Sequence, residues 1–390
     1  MLSVDEVWAV IDREVLALPS ARVPLEQVCG RRLAENICAD SDLPAFSRSA
    51  IDGYALPAGS QPGRYRLVGE SKPGGPAPLP PRQGEAVKVF TGSALPESGI
   101  ELVMVEDTTL VGGEVIVDVS SSAKPVRARA SQAKAGEVLL SGGSRIVPGA
   151  IALLATAGAS APRVSPAVKV AHLSTGSELV SVSQNPGLGF IRDSNSPLLA
   201  ALLAEAGADL SFQARVSESV DDAVAGLEGI EADLFLISGG ASVGQYDGTA
   251  EILQRLGFVI HSAKVKSRPG KPLIFATRGS QVAFGLPGNP LSHFVCFHLF
   301  VRRALDRLTG LLPRKMIAVL LAGQPPEPDL RETWWPAKIR AEAGCLLADP
   351  LPWRDSSDLT GLPRANALLR MGSHRTNGLV EAFLFGHLEP

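Results

Sequence analysis

The sequence predicts a multidomain α/β and β protein, with a central, mostly parallel α/β domain, an inserted β module and a C-terminal β-barrel-like domain. Length argues against a single ordinary core, because 390 residues exceed what one core organises. From 166 to 309, apolar strands alternate with helices, the pattern of a parallel sheet covered on both faces. Over 47–133, and again over 310–390, short β-rich runs lie between Pro and Gly clusters.

The elements follow in order. Val4, Val7, Trp8, Ile11, Val15 and Leu16 form one stripe of a helix over 3–18, and a second short helix is expected over 25–32. Helical, small-residue patterning resumes at 134. The segments 1–46 and 134–165 therefore make an N-terminal helical and linker domain that the β module interrupts. Module strands are expected at 65–68, 86–90, 101–105 and 115–119. The α/β domain reads as strand 167–173, helix 196–206, strand 210–216, helix 221–229, strand 233–238 and helix 249–256. Strands 273–277 and 282–286 and a long helix over 290–309 complete it.

Composition narrows the function. Hydrophobic content of 45% with 20% charge describes a soluble globular chain. A net charge of −3 and 5% aromatic residues give no reason to expect nucleic acid, so any bound anion must be held by a local cluster of donors. No uninterrupted apolar stretch of about 18 residues suggests a membrane helix, and 146–161, broken by Pro148, Gly149 and Gly158, reads as a buried helix. No basic region followed by an apolar run opens the chain, so no signal peptide is expected. Cys29, Cys38, Cys296 and Cys345 never form a C-x-x-C and read as reduced core residues of a cytoplasmic protein. The six histidines show no metal-ligand spacing and read as structural or surface residues.

Open α/β sheets bind ligands beyond the carboxyl ends of their strands, and here those ends carry unusual residues. After strand 233–238 comes Ser238-Gly239-Gly240-Ala241-Ser242-Val243-Gly244-Gln245-Tyr246-Asp247, whose amides can cradle an oxyanion; the plain alternative is a glycine-rich turn. Asp247 beside such a nest suits Mg²⁺ or a protonated ring nitrogen. Lys264, Lys266, Arg268 and Lys271 bring four cations into eight positions around Pro269-Gly270, although a basic run is often only a solvated face. Pro287-Gly288-Asn289-Pro290-Leu291-Ser292 turns from strand to helix and would bring the Ser292 hydroxyl and free helix amides to the ligand, or serve merely as a cap. Glu178 follows Ser174-Thr175-Gly176 at another strand end. Asp193-Ser194-Asn195 and Asp221-Asp222 precede helices, where capping is the competing role. Carboxylates, an anion nest and lysines together fit metal-assisted transfer of a phosphorylated or oxyanionic group. Asp52, in Ser49-Ala50-Ile51-Asp52-Gly53-Tyr54, and Thr91, in Thr91-Gly92-Ser93, read locally as turns.

Taken together, Ser-Ala-Ile-Asp-Gly-Tyr-Ala, Ser-Thr-Gly-x-Glu-Leu, Asp-Ser-Asn, Ser-Gly-Gly-x-Ser-Val-Gly-x-x-Asp, Pro-Gly-Lys-Pro and Leu-Pro-Gly-Asn-Pro occur in one order over nearly the whole chain. This closely resembles the MoeA family of molybdopterin molybdenumtransferases, which includes gephyrin's E domain. The resemblance implies an elongated four-domain homodimer that inserts molybdate into adenylylated molybdopterin, with Mg²⁺, releasing AMP. It implies catalytic roles for Asp52, Thr91, Glu178, Asp221 and Asp247, with Glu178, Asp221 and Asp247 around the metal. Asp52 and Thr91 would come from the second subunit. It implies molybdopterin and molybdate binding by Ser174, Thr175, Gly176, Asp193, Ser194, Asn195, Ser238, Gly239, Gly240, Ser242 and Gly244. The same role falls to Lys264, Arg268, Gly270, Lys271, Pro287, Gly288, Asn289, Pro290 and Ser292.

Possible further partners are other cofactor-synthesis proteins or recipient apo-enzymes. The sequence departs from the family at several points: Arg268 stands where many members have Lys, Ser177 where Asp is usual, and no carboxylate lies near Gln132. Trp353-Arg354-Asp355-Ser356-Ser357-Asp358 replaces a Gly-rich segment. A binding paralogue that has lost catalysis is therefore the alternative. An adenylyltransferase acting on molybdopterin is a more distant one, since such proteins lack the flanking domains.

Overall fold

A computed structural model describes residues 1–118, 125–239, 248–322, 329, 331–372 and 378–388. The chain forms two compact units. One comprises Met1–Ala21, Gly30–Arg32 and Val164–Pro390; the other comprises Arg22–Cys29 and Leu33–Arg163.

The larger unit is built on a six-stranded sheet in the order Asp209–Val216, Lys169–Thr175, Leu234–Ser238, Gln281–Leu286, Pro272–Arg278, Val259–Lys264. The first four strands are parallel and the last two pairings antiparallel. The connection from Lys169–Thr175 runs to the edge strand, while Leu234–Ser238 lies on the other side of it. The sheet's topological switch point therefore falls between Thr175 and Ser238, where open sheets form their ligand crevice.

Helices cover both faces. Asn195–Ala206 ends at left-handed Gly207, and Val220–Leu227 is capped by Ser219, whose hydroxyl accepts from the Asp222 N–H. Asp221 and Asp222 thus lie in the first turn and are not the cap, because Ser219 already supplies the oxygen. Val4–Glu14 begins with a reciprocal Ser3–Glu6 capping box, and Val4, Val7, Ile11 and Val15 enter the core formed by Val170, Leu234 and Phe284. The chain turns extended at Val15, which leaves Leu16 exposed rather than on the expected stripe.

From Pro290 one continuous helical run, with a π-helical turn at Phe297–Val301, reaches Leu308. Almost every residue of it is buried. It packs against the sheet and also against Trp334, Leu368 and Phe383 of the C-terminal barrel. That barrel closes through Ile317–Leu321, Cys345–Pro350, Glu332–Glu342, Ala367–Met371 and Leu379–Leu384. The short strand Ser267–Arg268 adds to Glu332–Glu342 from outside, joining the basic run to the barrel.

The smaller unit carries a curled six-stranded sheet in the order Ile100–Met104, Gly53–Pro57, Glu85–Val89, Gly63–Ser71, Glu114–Val117, Thr108–Val111. Three sequence expectations fail here. The second helix starts at Leu25 as expected but is only a 3₁₀ turn, Leu25–Gln27, and Gly30 at φ +82° lies outside the helical region. Pro148–Thr156 buries only Ala150 and Leu154, since a small-residue helix needs contact along one stripe alone. Of the four cysteines only Cys296 is buried; Cys29, Cys38 and Cys345 lie at the surface on short or irregular segments.

Asn366 ties the barrel together: its amide oxygen accepts from Ile339 N–H (2.7 Å), and its amide nitrogen donates to Ile339 O (2.8 Å) and His387 O (2.9 Å). Asn366→Ala strands these buried groups, and a loss of about 2–4 kcal/mol is expected in urea unfolding. A change below about 0.5 kcal/mol, the range of neutral surface substitutions, would show the network to be dispensable.

Candidate active site

The carboxyl ends of the parallel strands converge on one crevice. Gly239 takes φ +95°, and a Cβ there would lie 2.3 Å from the Thr175 carbonyl, so only glycine allows the two strand ends to close. The Thr175 hydroxyl donates to Ser238 O (3.3 Å), the Thr249 hydroxyl donates to Gly239 O (3.0 Å), and Gly239 N–H donates to Leu286 O (3.3 Å). Asn195 donates to Gly288 O (2.7 Å) and fixes the following turn. Gly270, at φ +93°, leaves no room for a side chain, because a Cβ would meet Cys296 Sγ at 2.7 Å.

Above these ends lies a cleft of about 1010 Å³, lined by Thr175, Glu178, Arg268, Gly270, Lys271, Pro287, Gly288, Asn289 and Ser292 among others. The volume suits a ligand of cofactor size. Lys271 has no ion-pair partner among the described residues, whereas Arg268 Nη1 is paired with Asp329 (2.8 Å). Backbone and side-chain hydrogen bonds from Arg331 hold the Asp329 carboxyl below the usual carboxylate range, so it is ionised at neutral pH.

The remaining sequence candidates divide. Ser174, Gly176, Asp193, Ser194, Asn195, Ser238, Gly239 and Pro290 stand in the strand-end and turn backbone around the cleft without lining it. Asp193, almost fully buried, accepts from Ser196 N–H (3.0 Å) and Oγ–H (2.6 Å), and so acts as a helix cap. Lys264 is exposed at the end of an edge strand. Asp221, 83% exposed, pairs with Arg255 (2.7 Å) and is not among the cleft residues. Gly240, Ser242, Gly244 and Asp247 lie outside the described residues. In the smaller unit Asp52 and Thr91 come together, since Asp52 Oδ1 accepts from the Thr91 N–H (2.7 Å).

One expectation is corrected. The amides at the start of the Pro290 helix are not free: Leu291 and Ser292 donate to Ser356 O (3.1 and 3.3 Å), and Asn289 donates to Ser356 Oγ (2.7 Å). A loop of the barrel has taken the place assigned to an anion, because a buried helix start must satisfy its donors.

Two family models match the chain: the MoeA N-terminal region (domain I and II) over residues 2–158, and a probable molybdopterin binding domain over residues 171–307. A "Molybdopterin molybdenumtransferase" from Bacillus subtilis (strain 168) is 33% identical over 364 residues, covering 89% of this chain and 84% of the relative. The chain belongs to the MoeA family. It is thereby an enzyme of the molybdopterin molybdenumtransferase class, in molybdenum cofactor biosynthesis. A relative of the same description from Nostoc sp. is 35% identical over 302 residues, covering 72% of this chain and 68% of the relative. A solved structure titled as the molybdopterin biosynthesis moeA protein from Pyrococcus horikosii superposes with a TM-score of 0.78 at 26% identity, covering 99% of this chain and 100% of that one.

Within this MoeA-family chain, several cleft residues escaped sequence reasoning. Glu218, Glu251, Arg331, Trp353, Arg354, Asp355 and Ser356 all line it. The one signal was the Trp353–Asp358 departure, whose proximity to the site depends on the barrel's placement. Histidine burial was equally hidden. Gln213 donates to His172 Nδ1 (2.9 Å), so His172 carries its proton on Nε2 and donates it to Ser238 Oγ (2.7 Å), supporting the carboxyl end of the Ser238 strand.

Burial lowers His172 to about 3, His293 to about 4 and His298 to about 3. All three fold neutral, while the unfolded chain protonates near pH 6.5. Stability is full above that pH and falls below it, by up to about 1.4 kcal/mol per pH unit for each histidine. The urea midpoint should drop between pH 7.5 and 5. His298→Phe, in its phenylalanine surroundings, should remove roughly a third of the histidine contribution; an unchanged pH slope would contradict this account.

Proposed function

We propose that this MoeA-family enzyme inserts molybdate into adenylylated molybdopterin and releases AMP, within the cleft at the switch point. One observation carries the reading: in a chain of this family, Lys271 and Arg268 face a cofactor-sized cleft where the Thr175, Gly239 and Pro287 strand ends meet. Lys271, free to pair with an oxyanion, and Arg268 would hold the pterin phosphate and molybdate. As water attacks the adenylyl phosphorus and forms the new phosphorus–oxygen bond of AMP, the bond to the molybdopterin phosphate breaks, the water's proton passes to solvent, and the two cations would stabilise the negative charge growing on the departing phosphate. Ser292 would offer its hydroxyl to the same oxyanions, and the glycine segment after Gly239 would supply backbone amides.

Magnesium dependence belongs to this reading through the family resemblance, with Glu178 and Asp247 as its carboxylates. The fit is incomplete. Among the described residues no three histidine, cysteine or acidic side chains gather as a metal site, and Asp221 is committed to Arg255. The same reading includes four domains with the boundaries given by the sequence, a homodimer, and a cytoplasmic location. Asp52 and Thr91 of one subunit would complete the cleft of the other.

A second reading, a binding protein with impaired turnover, is favoured by the Asp221–Arg255 pair and by Ser177, which stands exposed beside Glu178. Purified protein given adenylylated molybdopterin and molybdate, with and without Mg²⁺, should release AMP and yield metallated cofactor. Tight binding with no AMP, and AMP release gained by Ser177→Asp, would establish the second reading instead. Lys271→Gln should lower kcat/KM by about 10–100-fold, the value of one charge-assisted contact. If sites are shared between subunits, mixing Asp52→Asn with Lys271→Gln protein should restore about a quarter of wild-type activity, because half the dimers then carry one intact site. No recovery on mixing would place Asp52 outside a shared site.

A further inference from the structure

Arg268 is the point at which the C-terminal barrel enters the cleft. Its backbone is hydrogen-bonded in register to the barrel, with Ser267 opposite Glu332 and Arg268 opposite Thr333. Its guanidinium Nη1 is 2.8 Å from Asp329 Oδ2, and its Cζ lies 5.3 Å from the ring centre of Trp353. Trp353 is itself held: its indole N–H donates to Asp355 O, and its ring meets Trp335 edge-on at 4.8 Å. Trp335 is anchored in turn by donating to Leu351 O (2.7 Å). Arg268 and Trp353 both line the cleft.

A planar guanidinium can lie against an indole while still pairing with a carboxylate, whereas an ammonium offers no plane to stack. The two departures from the family pattern, Arg268 and the tryptophan-bearing segment, are therefore in contact. We propose that Trp353 is a positioning residue for Arg268, and that the pair acts as one unit setting the cleft's affinity for its oxyanionic substrate. The proposal rests on the functional reading above and deepens it. Held by Asp329 and Trp353, Arg268 presents its remaining N–H groups to the ligand without losing side-chain freedom at each binding event.

A double-mutant cycle tests this with Arg268→Lys and Trp353→Leu, the leucine keeping apolar bulk while removing the π face. Either single change should raise the molybdate KM about 10-fold. The double variant should be no worse than about 2-fold beyond either one, because each alone dissolves the unit. Trp353→Phe, which keeps an aromatic face, should restore KM to within about 3-fold. Multiplying effects, near 100-fold in the double variant, would overturn the proposal, as would a Trp353→Leu effect confined to kcat or absent.

Should the wild-type protein release no AMP, the functional reading fails by itself. The same cycle is then read by calorimetric titration of molybdate into the full-length dimer or monomer, with the same non-additivity expected. Wild-type protein that shows no molybdate binding overturns the proposal too. A fluorescence control isolates the contact: Arg268→Lys should alter the emission difference between wild-type and Trp353→Phe protein, and an unchanged difference counts against the stacking.

Discussion

The helical run that begins at Pro290 is buried on nearly every side, and the rest of the larger unit is arranged around that constraint. A helix with Phe294, Phe297, Leu299, Phe300, Leu305 and Leu308 in the core must be covered by separate layers. Each such side chain contributes roughly 1.5–3 kcal/mol at most. The sheet supplies one cover and the barrel, through Trp334, Leu368 and Phe383, another. Burying the helix also buries its start, whose unpaired amides then require an acceptor. Ser356 O answers that requirement, so the same packing that stabilises the unit draws a barrel loop to the mouth of the cleft.

The cleft that results is balanced in charge. Arg268, Lys271, Arg331 and Arg354 line it together with Glu178, Glu218, Glu251 and Asp355. On the proposed reading, and among the described lining residues, anion selection would come from placement rather than from a broad positive field, in keeping with a chain whose net charge is −3. Asp329 takes up Arg268, while Lys271 has no ion-pair partner among the described residues. Beneath them the neutral His172 and the buried Asp193 fix the strand ends without adding a mobile charge. Rigid support of this kind lets a few polar groups act at defined positions.

Much of the α/β domain was legible because its signals are local. Strand Leu234–Ser238 is apolar up to its last residue, helix Asn195–Ala206 ends at a glycine, and the turn Pro287–Pro290 announces itself by residue type. The close approach of Gly239 to Thr175 was not legible: the glycine reads as part of an anion cradle, and its amide instead donates to Leu286 O. The pairing of Asp52 with Thr91 was legible only through the family resemblance, since each motif alone reads as a turn. Errors arose where burial depended on a distant partner: the surface cysteines, the half-exposed Pro148–Thr156 helix and the exposed Leu16.

The sequence by itself determined the periodicities, the special turns, the residue chemistry at the strand ends and, through their collinear order, the family. Those properties depend on neighbours within a few positions or on a pattern repeated along the chain. Only the tertiary structure decided that Ser356 occupies the helix amides, that Asp221 turns to Arg255, and that Trp353 lies against Arg268. These contacts join residues some 34 to 85 positions apart (221 to 255, 268 to 353). Their energies are small beside the burial of the Pro290 helix, so the packing of that helix chose them, and no local feature of the chain could have done so.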